Sequence, residues 1–241
     1  MDALGAIAEI WRHPIKSMVG EMLPAATIGP GGIVGDRGWA AFDADTGDRC
    51  SAKWVPRLLL CAARYLEEPR DGHIPHAQIT LPDGSSFTTR DADANDRLST
   101  FLDRRITLRP RDPDAQRESF FDDQPCHLIT TASLAALGAL VPDAAVAPRR
   151  FRANLIVQSP LGTVGFPEFA WIDRTLTIGD VRMTAVKPVG RCGMTAALQP
   201  GLAKDPSILR TIVDRLDRKF GIYTVAAAEG QIRVGDAVSG A

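Results

Sequence analysis

The sequence predicts a mainly β protein with some helix, and three observations carry that prediction. Short apolar runs recur along the 241 residues and are closed by Gly or Asp turns. Two tight hairpins are written into the chain, at Pro82-Asp83-Gly84 and at Gly179-Asp180. Helical spacing of apolar residues is confined to three stretches. The length suffices to bury a sizeable core, as one large β domain or two small ones.

In order along the chain, residues 5–11, 22–28 and 38–43 read as strands, the last closed by Asp45-Thr46-Gly47. Residues 77–81 and 86–88 flank Pro82-Asp83-Gly84, where glycine supplies the positive φ of the turn. Leu98, Phe101 and Leu102 stand at helical spacing behind Asp91 and Asp93, which predicts a short helix over 93–102. After a strand at 106–108 comes Arg109-Pro110-Arg111-Asp112-Pro113-Asp114, too charged and Pro-rich for regular structure. The domain boundary is placed there, dividing the chain into residues 1–110 and 111–241.

The second half opens with a strand at 127–130 and a helix at 132–140, with Thr131 or Ser133 as its cap. Further strands follow at 154–157, 176–178 and 181–186. Ile208, Leu209, Ile212, Val213 and Leu216 form a core-facing stripe on a helix spanning 206–220. Two closing strands are expected at 221–225 and 231–236.

Composition excludes several functions. A formal net charge of -1 provides no general basic field, so nucleic acid is not an expected partner. The first residues lack the apolar run and small-residue cleavage site of a secretory signal, and no stretch has the ~20 apolar residues needed to cross a bilayer. A cytoplasmic location without membrane attachment is expected, with Cys50, Cys61, Cys126 and Cys192 reduced and unpaired. No CxxC or zinc-finger spacing occurs, and no GxSxG, Walker, HExxH or GxGxxG motif.

Four short motifs can carry chemistry. In Val189-Gly190-Arg191-Cys192-Gly193, a guanidinium beside a thiol favours the thiolate, the form that attacks or binds soft metals. Lys16 and Ser17, just after the first strand, offer a point charge and a hydroxyl for a phosphate. Arg37, flanked by glycines in Gly35-Asp36-Arg37-Gly38-Trp39, either forks onto a phosphate or pairs with Asp36 or Asp43. In Arg149-Arg150-Phe151-Arg152-Ala153-Asn154, an extended backbone would turn Arg150, Arg152 and Asn154 to one face. Such a face would read an anion or a heterocycle. His13, His73, His76 and His127 show no convergent spacing, and the other three cysteines read as buried packing residues.

In this order and rough spacing, His13-Pro14-Ile15-Lys16-Ser17, Gly35-Asp36-Arg37-Gly38-Trp39, Arg150-Phe151-Arg152-Ala153-Asn154 and Arg191-Cys192 resemble MOSC proteins with an N-terminal MOSC β-barrel domain. That family includes the bacterial YcbX-type proteins and the eukaryotic mitochondrial amidoxime reducing components. The resemblance extends over nearly the whole chain, through Trp171 and the closing Phe220-Gly221-Ile222-Tyr223 and Val234-Gly235-Asp236. It implies an N-terminal β-barrel-like domain followed by a MOSC β-barrel with peripheral helices.

It further implies the molybdenum cofactor, with Cys192 as catalytic residue and metal ligand, and pyridoxal phosphate is not expected. Lys16, Ser17 and Arg37 would grip phosphate and pterin, Arg152, Asn154 and Arg191 would hold the pterin face, and Thr130 would place a hydroxyl nearby. The implied activity is reduction of small N-hydroxylated or N-oxygenated compounds. Electrons would come from a separate reductase, iron–sulfur or flavin protein, since no such centre is encoded here. The alternatives are a carrier of the cofactor, or of sulfur as a persulfide on Cys192, and a metal-free barrel that binds a phosphorylated small molecule. The chain departs from its relatives at Ala153 (commonly Pro), at Gly190 (commonly Ser or Thr) and after the cysteine, where Met194-Thr195-Ala196-Ala197 lacks an acidic residue.

Overall fold

The computed structural model describes residues 2–70, 72–112 and 120–240. In chain order the strands of the first half are β1 (Asp2–Arg12), β2 (Glu21–Leu23), β3 (Ala25–Gly29), β4 (Gly32–Ile33), β5 (Trp39–Asp43), β6 (Ala62–Tyr65), β7 (Ala77–Thr80) and β8 (Ser86–Thr88). Helix α1 (Ala94–Leu102) and strand β9 (Ile106–Pro110) complete it. The second half holds β10 (Cys126–Thr130), α2 (Thr131–Leu140), β11 (Leu155–Gln158), β12 (Thr175–Ile178) and β13 (Val181–Gly190). It ends with α3 (Pro206–Leu216), β14 (Lys219–Ala226), β15 (Gly230–Arg233) and β16 (Ala237–Gly240).

Seven strands close into a barrel in the order β11-β10-β14-β13-β12-β16-β1, with β1 pairing back onto β11. Six of these staves come from residues 126–240; the seventh is the first strand of the chain. β1 reaches from β16 to β11 by shifting register between Ile7 and Glu9 and between Ala3 and Gly5. Alternate residues of each stave point inward, so Ile7, Ile10, Leu128, Leu155, Val157, Leu176, Ile178, Met183, Ile222 and Val238 fill the interior. Each such side chain contributes roughly 1.5–3 kcal/mol over exposure.

The first half forms a smaller layer beside this barrel. The β5–β9 pair, the β6-β7-β8 sheet and α1 enclose Ile15, Met18, Trp39, Leu58, Ile79, Phe87, Leu98 and Ile106. The expected hairpins are present: β7 turns into β8 with Gly84 at φ +86, and β12 into β13 with Gly179 at φ +54. A third cluster, with Phe151 and Phe220 rings 4.3 Å apart, seats α2 and α3 on the barrel's outside.

Several local expectations are corrected. The 22–28 run breaks at Pro24, which lacks the N–H for a continuous ladder. The third helix stops at Leu216 because Asp217 turns left-handed at φ 48, which delivers Lys219 and Phe220 to β14. Helix α2 is capped by Thr130, whose side chain accepts the Ser133 N–H, and not by Thr131 or Ser133. The four-residue 3-10 helix at Pro148–Phe151, followed by Arg152 at φ 52, replaces the extended stretch that would have aligned Arg150 with Arg152. Strands β4, β6 and β16 were not foreseen.

Candidate functional site

Two loops of the first half are zipped together by their backbones. Arg37 N–H donates to His13 O (2.7 Å), Trp39 N–H to Pro14 O (3.0 Å) and Lys16 N–H to Trp39 O (2.9 Å). The hub is Asp36, a buried carboxylate that accepts the His13 N–H (2.7 Å), Asn154 Nδ2 (3.0 Å) and Arg37 Nη1. Arg37 therefore pairs with Asp36, one of its two expected partners, and still faces the cavity described next.

A cavity of about 270 Å³ lies where these loops meet the barrel, lined by Lys16, Ser17, Arg37, Lys53, Phe121, Asp122, His127, Phe151, Arg152, Asn154, Arg191, Cys192 and Tyr223 among others. Among the described residues, five cations (Lys16, Arg37, Lys53, Arg152, Arg191) face one carboxylate, Asp122. Of the nine residues singled out from sequence, seven converge here: Lys16, Ser17, Arg37, Arg152, Asn154, Arg191 and Cys192.

The thiol is delivered by the end of β13. Cys192 is exposed, and its carbonyl is held by the Thr195 N–H (3.1 Å) and hydroxyl (2.9 Å) in the 3-10 turn Gly193–Ala196. The other three thiols are buried, and burial pushes Cys61 and Cys126 up to about 12, which makes them inert at neutral pH. Beside Cys192, Arg191 is buried, donates Nη2 to Phe151 O (2.9 Å) and lies over the Phe151 ring at 5.4 Å.

Arg152 is also buried, and its αL backbone turns the side chain toward Met18 O, which accepts Nη1. Burial lowers both guanidinium groups, Arg152 to about 9 and Arg191 to about 10. Among the described residues, Arg152 Nη2 and Arg191 Nε are buried donors without a partner. Two orphaned guanidinium donors on a cation-rich wall fit an anionic ligand, because only such a ligand repays their desolvation.

Lys16 is buried as well, with Nζ donating to Phe120 O (2.9 Å) and to Asp122 (2.5 Å). Burial lowers its pKa, opposed by Asp122. Ser17, at φ 71, accepts the Ala52 N–H (2.9 Å) and so fixes the 51–53 edge of the cavity. The Asn154 amide is already engaged, Nδ2 to Trp11 O (3.1 Å) and Asp36, and Oδ1 accepting the His127 N–H (3.2 Å). It acts as a clamp between the two halves of the chain.

Two expected site residues stand elsewhere. Thr130 is fully buried outside the cavity, where it caps α2 and donates to Glu168 (2.9 Å). Arg150 is buried behind the cysteine loop and donates to Ala145 O (2.8 Å), Ala197 O (3.3 Å) and Ala203 O (2.8 Å). It positions the loop after Cys192 and does not line the cavity.

Sequence reasoning missed His127, Asp122 and Tyr223. His127 is buried and neutral, its pKa driven well below 6.5 by burial and then by Arg191 and Arg37. Gly221, at φ +76, leaves room for it, since a Cβ there would collide with His127 Nε2. The only sequence signal for these contacts is the pairing of a His strand with a Gly-Ile-Tyr strand, and neither register is readable in advance.

Among curated proteins, mitochondrial amidoxime reducing component 2 of Rattus norvegicus is 25% identical over 99% of this chain and 84% of its own length. Among solved structures, the YUAD protein from Bacillus subtilis superposes with a TM-score of 0.52 at 12% identity, covering 97% of this chain and 93% of that one, a likeness of fold. The MOSC N-terminal beta barrel domain matches residues 4–123, and the MOSC domain matches residues 115–239. The chain belongs to the MOSC domain family and carries the MOSC N-terminal β-barrel domain.

Proposed function

We propose that this protein is a molybdenum-cofactor-dependent oxidoreductase that reduces N-hydroxylated compounds, with the Cys192 thiolate ligating the metal. The single observation that carries the reading is the exposed Cys192 thiol opening onto the same cavity as Lys16, Arg37, Arg152 and Arg191. The family is associated with this cofactor, and a relative over nearly the full chain is named for amidoxime reduction. When bound, the cofactor supplies two-electron oxygen-atom chemistry, for the net change R–NHOH + 2 e⁻ + 2 H⁺ → R–NH₂ + H₂O.

The chain's own residues hold and orient. Lys16, Arg37 and Arg152 would grip the phosphate and Arg191 the pterin side, while Cys192 adds one soft sulfur ligand at the cavity mouth. Phe151 beneath Arg191 keeps water from that guanidinium, and neutral His127 adds no charge to the cluster. Electrons would arrive from a separate reductase, iron–sulfur or flavin protein in the cytoplasm.

The test is turnover. Holo-protein given an enzymatic or chemical electron donor and a model N-hydroxylated base is expected to reduce the N–O bond, and Cys192→Ala to lose that activity. Cofactor bound at full stoichiometry without reduction above the Cys192→Ala control would instead make the chain a cofactor or sulfur carrier.

A further inference from the structure

Among the described residues, the one carboxylate on the cavity wall sits on the cation best placed for a phosphate. Lys16 is buried (side chain 6% exposed), whereas its partner Asp122 is 74% exposed, 2.5 Å away. A pair this lopsided joins a desolvated ammonium to an acid that can return to water by rotating one side chain. The segment that carries Asp122 has further contacts beside that pair. Phe120 is buried edge-on to Phe42 with ring centroids 5.8 Å apart, and its carbonyl accepts Lys16 Nζ. On the far side, Asp123 binds Lys187 at 2.8 Å, outside the cavity. Asp122 can therefore leave Lys16 while the buried Phe120 stays in place.

We propose that Asp122 is a resident counter-anion that competes with the phosphate of an incoming ligand for Lys16, so that loading the cavity exchanges one anion for another. This rests on the reading of the cavity as a phosphate site. The exchange also selects: a ligand dianion outbids one carboxylate for Lys16, Arg37 and Arg152, whereas a monoanion such as chloride does not. The carboxylate meanwhile keeps a buried lysine from standing unpaired in the unloaded protein.

Phosphate binding to the cofactor-free protein, followed by calorimetry in low salt, tests this without turnover. Asp122→Asn is expected to bind inorganic phosphate roughly three- to tenfold more tightly than the unaltered chain, as expected for losing an exposed competitor. Asp123→Asn, which removes the same charge next door, should change the affinity less than twofold. Equal or weaker phosphate binding by Asp122→Asn, or an equal gain in Asp123→Asn, would overturn the proposal. A tighter Asp122→Asn protein that still acquires no molybdenum in a cofactor-competent host would leave the competition standing and remove the cofactor reading.

Discussion

The two walls of the cavity carry similar cations and treat them differently. On the wall built by the first half, two cations have acids, Lys16 holding Asp122 and Arg37 holding Asp36, while Lys53 lies over the Trp54 ring. On the barrel wall, Arg152 and Arg191 are buried against backbone carbonyls and an aromatic face, with no carboxylate within ion-pair distance among the described residues. A protein that only needed to fold would pair these guanidiniums or replace them with apolar side chains, because buried charge without a counter-charge is destabilising. The barrel wall therefore holds charge in reserve for a ligand, and the loop wall holds it in check until one arrives.

The largest way to break this comparison is Arg152→Met. Losing one charge-assisted contact costs roughly 1.5–3 kcal/mol, so molybdenum retention should fall at least about tenfold. The cofactor-free protein should melt no lower than the unaltered one, because a desolvated charge has gone. A lower melting temperature in the cofactor-free variant would show that Arg152 serves the fold.

A second test uses the buried histidines that flank the barrel wall. His13 is held neutral by burial, then by Arg152 and Arg37, and His127 by burial, then by Arg191 and Arg37. In both, the folded pKa lies well below the unfolded 6.5, so below that pH the unfolded chain takes up protons that the folded chain refuses. Stability is complete above about pH 6.5 and falls as pH decreases, by about 1.4 kcal/mol per pH unit for each histidine. Denaturant melts between pH 6.5 and 5 should show this loss, and His13→Gln should remove about half of it.

The smallest effect sharpens the comparison from outside. Thr130→Ala removes the α2 cap and should cost about 1 kcal/mol of stability, while molybdenum retention stays unchanged. A parallel loss of molybdenum would return Thr130 to the site.

The fold class and both hairpins were legible because they depend on local chemistry, and the convergence of seven residues was legible only through the resemblance of the ordered motifs to MOSC proteins. Turn glycines, apolar alternation and short motifs announce themselves over four to ten residues. The failures needed information that a local residue pattern does not carry. β1 closes a barrel with strands more than 140 residues away, which no local pattern reveals. Arg150 and Arg152 differ in role because one residue, Arg152 itself, adopts a left-handed backbone, and a run of arginines does not disclose that. Asp36 and Asp122 look alike in sequence, yet one is a buried hub and the other an exposed partner of a buried lysine.

The most direct measurement is the ratio of molybdenum to protein after expression in a host that makes the cofactor, for the unaltered chain, Cys192→Ala and Arg191→Met. The account gives close to one molybdenum per unaltered chain and a fall of about tenfold or more in both variants. Molybdenum absent from the unaltered protein, or undiminished in both variants, would contradict it.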